Sequence, residues 1–102
     1  MPEFTNINNV LTPPRKLTDV EILRAIKFGI ASEFEAIQIY QQIMESTDNK
    51  DIKAVLTDIA EDEMHHAGAL YKLLEILSPQ DIKQYEHGIQ EAIEQMEKAS
   101  AS

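Results

Sequence analysis

Glu63 and His66 interrupt an otherwise apolar helical repeat, and the chemistry of this chain is best sought there. Ile52, Leu56, Ile59, Glu63, His66, Leu70, Leu73 and Leu77 follow one another at alternating steps of four and three, which keeps all of them on one stripe of a helix. A carboxylate and an imidazole on such a stripe are expected to point into a core. Leaving them there unpartnered would cost about 2–7 kcal/mol for a polar group, and more for a charge. A metal ion is one compensation, because Glu-x-x-His presents an oxygen and a nitrogen one helical turn apart on the same face. A local ion pair on one helix is the plainer alternative. A second stripe favours the metal: Leu23, Ile26, Ile30, Glu33, Ile37, Tyr40 and Met44 alternate in the same way and again carry a single carboxylate, Glu33.

The elements that must position these residues can be read from their boundaries. Thr18-Asp19-Val20-Glu21 fits a capping box, so the first helix is expected to start there and run to about Glu45. Ser46-Thr47-Asp48-Asn49 forms the turn, with Asp48 or Thr47 as the expected cap of a second helix that ends at Leu77, before Ser78-Pro79. Two helices of roughly 42 Å joined by so short a turn must lie antiparallel. Glu33 and Glu63 are then at similar heights from the turn, and the two carboxylates should meet. A further stripe on the first helix, Ile22, Ala25, Gly29, Ser32, Ala36, Ile39 and Ile43, is small in its centre and leaves room for another helix to approach.

Ser78-Pro79 opens a short third helix, with Ile82, Tyr85, Ile89, Ile93 and Met96 on one stripe, expected to pack as an accessory. It should fray into a polar tail over residues 98–102, while residues 1–16, with Pro2, Pro13 and Pro14, read as a flexible N-terminal arm. Residues 17–97 form the single helical domain, and the fold class is all-α.

Composition narrows the chemistry. With 18 acidic against 9 basic residues the net charge is −9, which argues against nucleic acid and anionic membranes as partners and is compatible with collecting cations. Acidic helix faces also serve solubility alone. The absence of cysteine excludes disulfides, iron–sulfur clusters and zinc–thiolate sites, so a metal must be held by oxygen and nitrogen. No apolar run approaches the roughly 18–20 residues of a membrane span, and the first residues lack a basic-then-apolar signal, so a cytoplasmic protein is expected.

A dinuclear carboxylate site in a four-helix bundle takes a Glu from each of two helices and a Glu-x-x-His from each of the other two. This chain carries one of each, so two copies about a two-fold axis would supply the full set. Glu33-x-x-Ala36-x-x-x-Tyr40 followed by Glu63-x-x-His66-Ala67 resembles the ferritin and rubrerythrin superfamily. The two-helix length, the short third helix and Ser32-Glu33-Phe34-Glu35-Ala36 look most like the encapsulated ferritins, over roughly Leu17 to Ile89.

The resemblance implies a dimer, within a larger even-numbered ring, whose two hairpins form a ferritin-like four-helix bundle. It implies a di-iron ferroxidase centre at the subunit interface and a place as cargo inside an encapsulin shell that stores the iron. Carried over, the iron ligands are Glu33, Glu63 and His66, with Glu63 bridging, and Tyr40 completes the catalytic group from further along the seam. Where some members carry a glutamate that guides metal inward, this chain has Ser32, which leaves Glu35 as the candidate for that role. Ala99-Ser100-Ala101-Ser102 does not look like the family's shell-targeting peptide, so the chain is expected to be trimmed or attached to its shell differently.

Two other readings stay open. One is a non-catalytic helical adaptor whose seams bind a partner helix. The other is a structural bundle holding zinc or manganese, which oxygen and nitrogen ligands also suit. A peroxide-reducing rubrerythrin would need cysteines for its electron-transfer iron, and a conventional ferritin subunit contains all four helices in one chain.

Overall fold

The computed structural model describes residues 15–101; most of the expected N-terminal arm, and Ser102, lie outside the described residues. The chain is all-α: helix α1 spans Asp19–Glu45, α2 spans Lys50–Leu77 and α3 spans Pro79–Ala101, with no strand among the described residues.

The start of α1 is the capping box read from the sequence. The Thr18 hydroxyl accepts from the Glu21 N–H at 3.2 Å, and the Glu21 carboxylate accepts from the Thr18 N–H at 2.9 Å. Arg15 adds a two-pronged contact, each guanidinium nitrogen donating to one Glu21 oxygen at 2.7 Å. That contact, followed by the Thr18 bond, holds the Glu21 carboxyl down at about 2, well below its ordinary 4.5. Arg15, expected in a flexible arm, is thus tied to the first turn of α1.

At the hairpin turn the cap of α2 is Asn49, not Asp48 or Thr47. Its amide oxygen accepts from the N–H groups of Asp51 and Ile52 at 3.0 and 3.1 Å, while the Thr47 hydroxyl accepts from the Asn49 N–H. Four consecutive residues could each cap, and the one immediately before the helix reaches its two orphan donors.

The antiparallel α1–α2 hairpin closes on small residues. Ala60 and Ala67 of α2 are buried with Ile37 and Leu74, and a Cβ at Gly29 would lie 3.1 Å from Leu70 Cδ1, which measures how near α2 comes to α1 there. The expected burial of the whole α2 stripe is not met. Ala60, Ala67 and Leu74 face α1, whereas Ile52, Leu73 and Leu77 of the stripe are exposed. One neighbouring helix covers only part of an apolar stripe, and the rest of this one stays exposed in the single chain.

Helix α3 also departs from expectation. It is 23 residues long, and Lys98 to Ala101 continue the helix instead of fraying, with Lys98 placed favourably at the negative end of the helix dipole. Its first turn is anchored by buried Ser78 and Ile82 and by Lys27 Nζ, which lies 2.9 Å from Asp81 Oδ2. These contacts with Lys27 and Ser78 hold the Asp81 carboxyl below its ordinary value. Beyond that corner Tyr85, Ile89, Ile93 and Met96 are exposed, so α3 leaves the hairpin with its apolar stripe uncovered.

Candidate metal centre

Because the turn sets α1 and α2 antiparallel, the midpoints of both helices coincide and bring Glu33, Glu63 and His66 together. Each offers one ligand atom, and these atoms lie within 4.8 Å of one another, the group of its kind found among the described residues. His66 Nδ1 lies 3.8 Å from Glu33 Oε1 and 3.9 Å from Glu63 Oε2. Those separations are too long for hydrogen bonds. The imidazole therefore faces two carboxylates without bonding either, an arrangement that leaves space between the donors for an ion.

Burial within the cluster is uneven. The carboxylates of Glu33 and Glu63 retain 19% and 23% of their side-chain exposure, whereas His66 retains 61%. Glu33 Oε2 is buried and has no hydrogen-bond partner. A buried acceptor of that kind costs about 1–3 kcal/mol, and a cation would satisfy it. Two carboxylates and one imidazole, with no sulfur donor, form a set suited to iron, manganese or zinc. The residues present fit a metal.

The expectation that these groups point into a core therefore needs correcting for the single chain. The cluster sits at the open edge of the α1–α2 groove, and exposed apolar residues extend along that edge: Ile39 and Ile43 on α1, Ile52, Val55, Leu73 and Leu77 on α2. An aliphatic rim around a half-enclosed polar cluster is the form of a surface meant to be covered.

Tyr40 is half-buried on the seam two turns beyond Glu33. Glu35 is exposed, and two residues on from Glu33 the helix has turned by about 200°, so it stands on the opposite face of α1. His65 is exposed and off the stripe, and His87 on α3 pairs with Glu91 at 2.8 Å, away from the cluster. Sequence reasoning overlooked a cleft on the other side of the hairpin, lined by Lys27, Ile30, Ala31, Phe34, Tyr71, Leu74 and Tyr85. Phe34 and Tyr71, both exposed and on no seam, were the available signal.

One Glu on the first helix and Glu-x-x-His on the second of a helical hairpin is half of the donor pattern known from carboxylate-bridged four-helix bundles. Comparison with known proteins gives the family: the rubrerythrin family profile matches residues 24–100, and the chain belongs to that family. It is 35% identical over 80 residues to a Myxococcus xanthus protein named encapsulin nanocompartment cargo protein EncC, covering 78% of this chain and 60% of that one. It is 27% identical over 77 residues to a Pyrococcus furiosus ferritin-like–encapsulin shell fusion protein, covering 76% of this chain and 22% of the fusion. The chain thus spans less than two thirds of either relative. Its fold matches the crystal structure of the encapsulated ferritin domain from Pyrococcus furiosus with a TM-score of 0.79, at 24% identity, over 84% of this chain and 88% of that one.

Proposed function

We propose that this protein is a ferroxidase of the encapsulated-ferritin type, with two copies pairing across the open edge of the hairpin so that Glu33, Glu63 and His66 of each enclose two iron ions. The observation that carries this reading is the convergence of those three side chains at an open, aliphatic-rimmed face. Ferrous iron is the substrate: each ion gives up one electron, oxygen is the acceptor, and ferric iron is the product. Glu63, which shares its helix with His66, holds the bridging position. The carboxylates stabilise the higher charge of the product, the imidazole completes the donor set, and the aliphatic rim excludes bulk water once the second copy is in place. Tyr40 donates its hydroxyl toward the carboxylates from further along the seam. Glu35, on the opposite face of α1, guides incoming iron from outside.

The ferric product is passed to an encapsulin shell of which this protein is cargo; the names of the two relatives, an encapsulin nanocompartment cargo protein and a ferritin-like–encapsulin shell fusion, support the encapsulin association. Pairing about the metal, repeated through a second kind of contact, builds a larger even-numbered assembly.

Stopped-flow absorbance after mixing with ferrous iron in air tests the reading. Glu33→Ala, Glu63→Ala and His66→Ala each abolish the ferric signal, while His65→Ala leaves it unchanged. Equal activity in Glu63→Ala and the parent would sink the assignment, and binding of iron without oxidation would return the site to a structural role.

A further inference from the structure

Gly29 and Leu70 each lie one helical turn from the metal cluster, Gly29 four residues before Glu33 on α1 and Leu70 four residues after His66 on α2. In an antiparallel hairpin both turns fall on the same side of the cluster, and there the two helices come into contact. A Cβ at Gly29 would lie 3.1 Å from Leu70 Cδ1 and 3.9 Å from Leu70 Cδ2, whereas carbon atoms in ordinary contact stand about 3.5–4.0 Å apart. The leucine methyls thus occupy the space that any other residue at position 29 would fill. Gly68 and Gly88 offer no such notch, since a Cβ at either meets nothing within 4 Å.

Side chains on a helix lean toward its N-terminus and cover the preceding turn. Glu33 therefore reaches back over the turn that starts at Gly29, and Leu70 reaches back along α2 toward His66. The two side chains converge on one space. That convergence explains why Glu33 Oε2 is buried and without a hydrogen-bond partner, although the cluster stands at an open edge where His66 is 61% exposed. Half-buried Leu70 supplies the apolar floor there.

We propose that Leu70, seated in the notch left by Gly29, is a positioning residue for the metal centre, an inference that rests on the metal reading above. It acts through Glu33: the isobutyl group keeps water from the back of the carboxylate and holds it within reach of Glu63 and His66. Ligand groups must stay within about 0.5 Å of their working positions, and changes in the groups that support them cost about 10–100-fold in metal affinity. Gly29→Ala displaces the leucine methyls by a few tenths of an ångström into the space shared with Glu33. The same change favours the helix. Fold stability and metal affinity therefore move in opposite directions, which a merely structural contact would not produce.

The probe is cobalt(II), whose visible spectrum reports its ligands, titrated into the full chain at one fixed protein concentration. Gly29→Ala is expected to bind it about tenfold more weakly than the parent and with an altered spectrum, while melting in chelator no lower than the parent. Gly68→Ala, the same change where the new methyl meets nothing, keeps the parent's affinity and spectrum. Leu70→Val alone leaves the notch partly empty and also weakens binding. Gly29→Ala/Leu70→Val adds one carbon and removes one, and it restores the spectrum and most of the affinity. Parent affinity and spectrum in Gly29→Ala overturn the proposal, as does an equal loss in Gly68→Ala or a double variant no better than Gly29→Ala. Should Gly29→Ala melt below the parent, the double variant decides, because restored stability without restored affinity is a structural role and overturns the proposal. A parent that gives no cobalt spectrum fails the metal reading and takes this inference with it, whereas a parent spectrum that Gly29→Ala leaves unchanged fails the positioning role alone.

Discussion

If Glu33 is a ligand as proposed, it is the residue at which function and stability oppose each other, and Glu33→Leu tests the conflict. One oxygen of Glu33 is buried without a partner, the side chain is only 19% exposed, and Glu63 presents a like charge within the same cluster. The unpaired oxygen alone costs about 1–3 kcal/mol in the metal-free protein. Leucine removes both the orphaned acceptor and the repulsion and leaves an apolar side chain on an apolar seam. In chelator, Glu33→Leu is therefore about 1–3 kcal/mol more stable than the parent, and in a domain this small each kcal/mol raises the melting temperature by about 4–8 °C. Metal reverses the order of benefit. Manganese or anaerobic ferrous iron at a hundred times its dissociation constant stabilises the parent by about 2.7 kcal/mol and the variant not at all. The assay is urea or thermal denaturation followed by circular dichroism, with and without metal, at one fixed protein concentration because pairing contributes to stability. A variant less stable than the parent in chelator would refute the account of Glu33 as a frustrated ligand, and an equal metal response in both would refute its role as a ligand.

Three further outcomes are expected. Divalent metal drives pairing at the Glu33–Glu63 edge, so light scattering shows mass growth for the parent on adding anaerobic ferrous iron but none for Glu33→Ala; unchanged mass in both would show that the site does not control assembly. The cap of α1 is acid-labile: the Glu21 carboxyl is lowered from 4.5 to about 2, so the folded state binds fewer protons there, and the stabilisation is complete above pH about 4.5 and lost as pH falls through about 2. A nuclear magnetic resonance titration that found Glu21 at its ordinary value would remove Arg15 from the cap. Gly29→Ala gains about 1 kcal/mol of helix propensity, partly offset because the new methyl would lie 3.1 Å from the flexible end of Leu70, for a net gain of about 0.5 kcal/mol in urea unfolding; a loss above 1 kcal/mol would mean that Leu70 cannot yield.

The alternation of three- and four-residue steps made α1 and α2 legible, and the Thr18 capping box and the short turn made their ends and their antiparallel pairing legible as well. The meeting of Glu33 with Glu63 and His66 followed from counting residues back from that turn. Three things could not be read. Asn49 caps α2 because the backbone delivers its amide to two orphan donors, a choice among neighbours that share the same chemistry. The course of α3 depends on Ser78, Asp81 and Lys27 meeting at one corner, a tertiary contact between residues far apart in sequence. The openness of the metal edge escaped notice because periodicity marks which residues share a stripe and not how much of that stripe one neighbour can cover.

The exposure of His66 has a consequence for kinetics. If the working centre needs the matching face of a second chain, a lone chain is catalytically silent, and oxidation is bimolecular in protein before it is anything in iron. Specific activity should fall on dilution and rise toward a plateau as the protein is concentrated. A newly synthesised chain would then bring iron and oxygen together only after meeting a correctly folded twin, so encounter itself serves as the check that restrains a hazardous reaction until its surroundings are built.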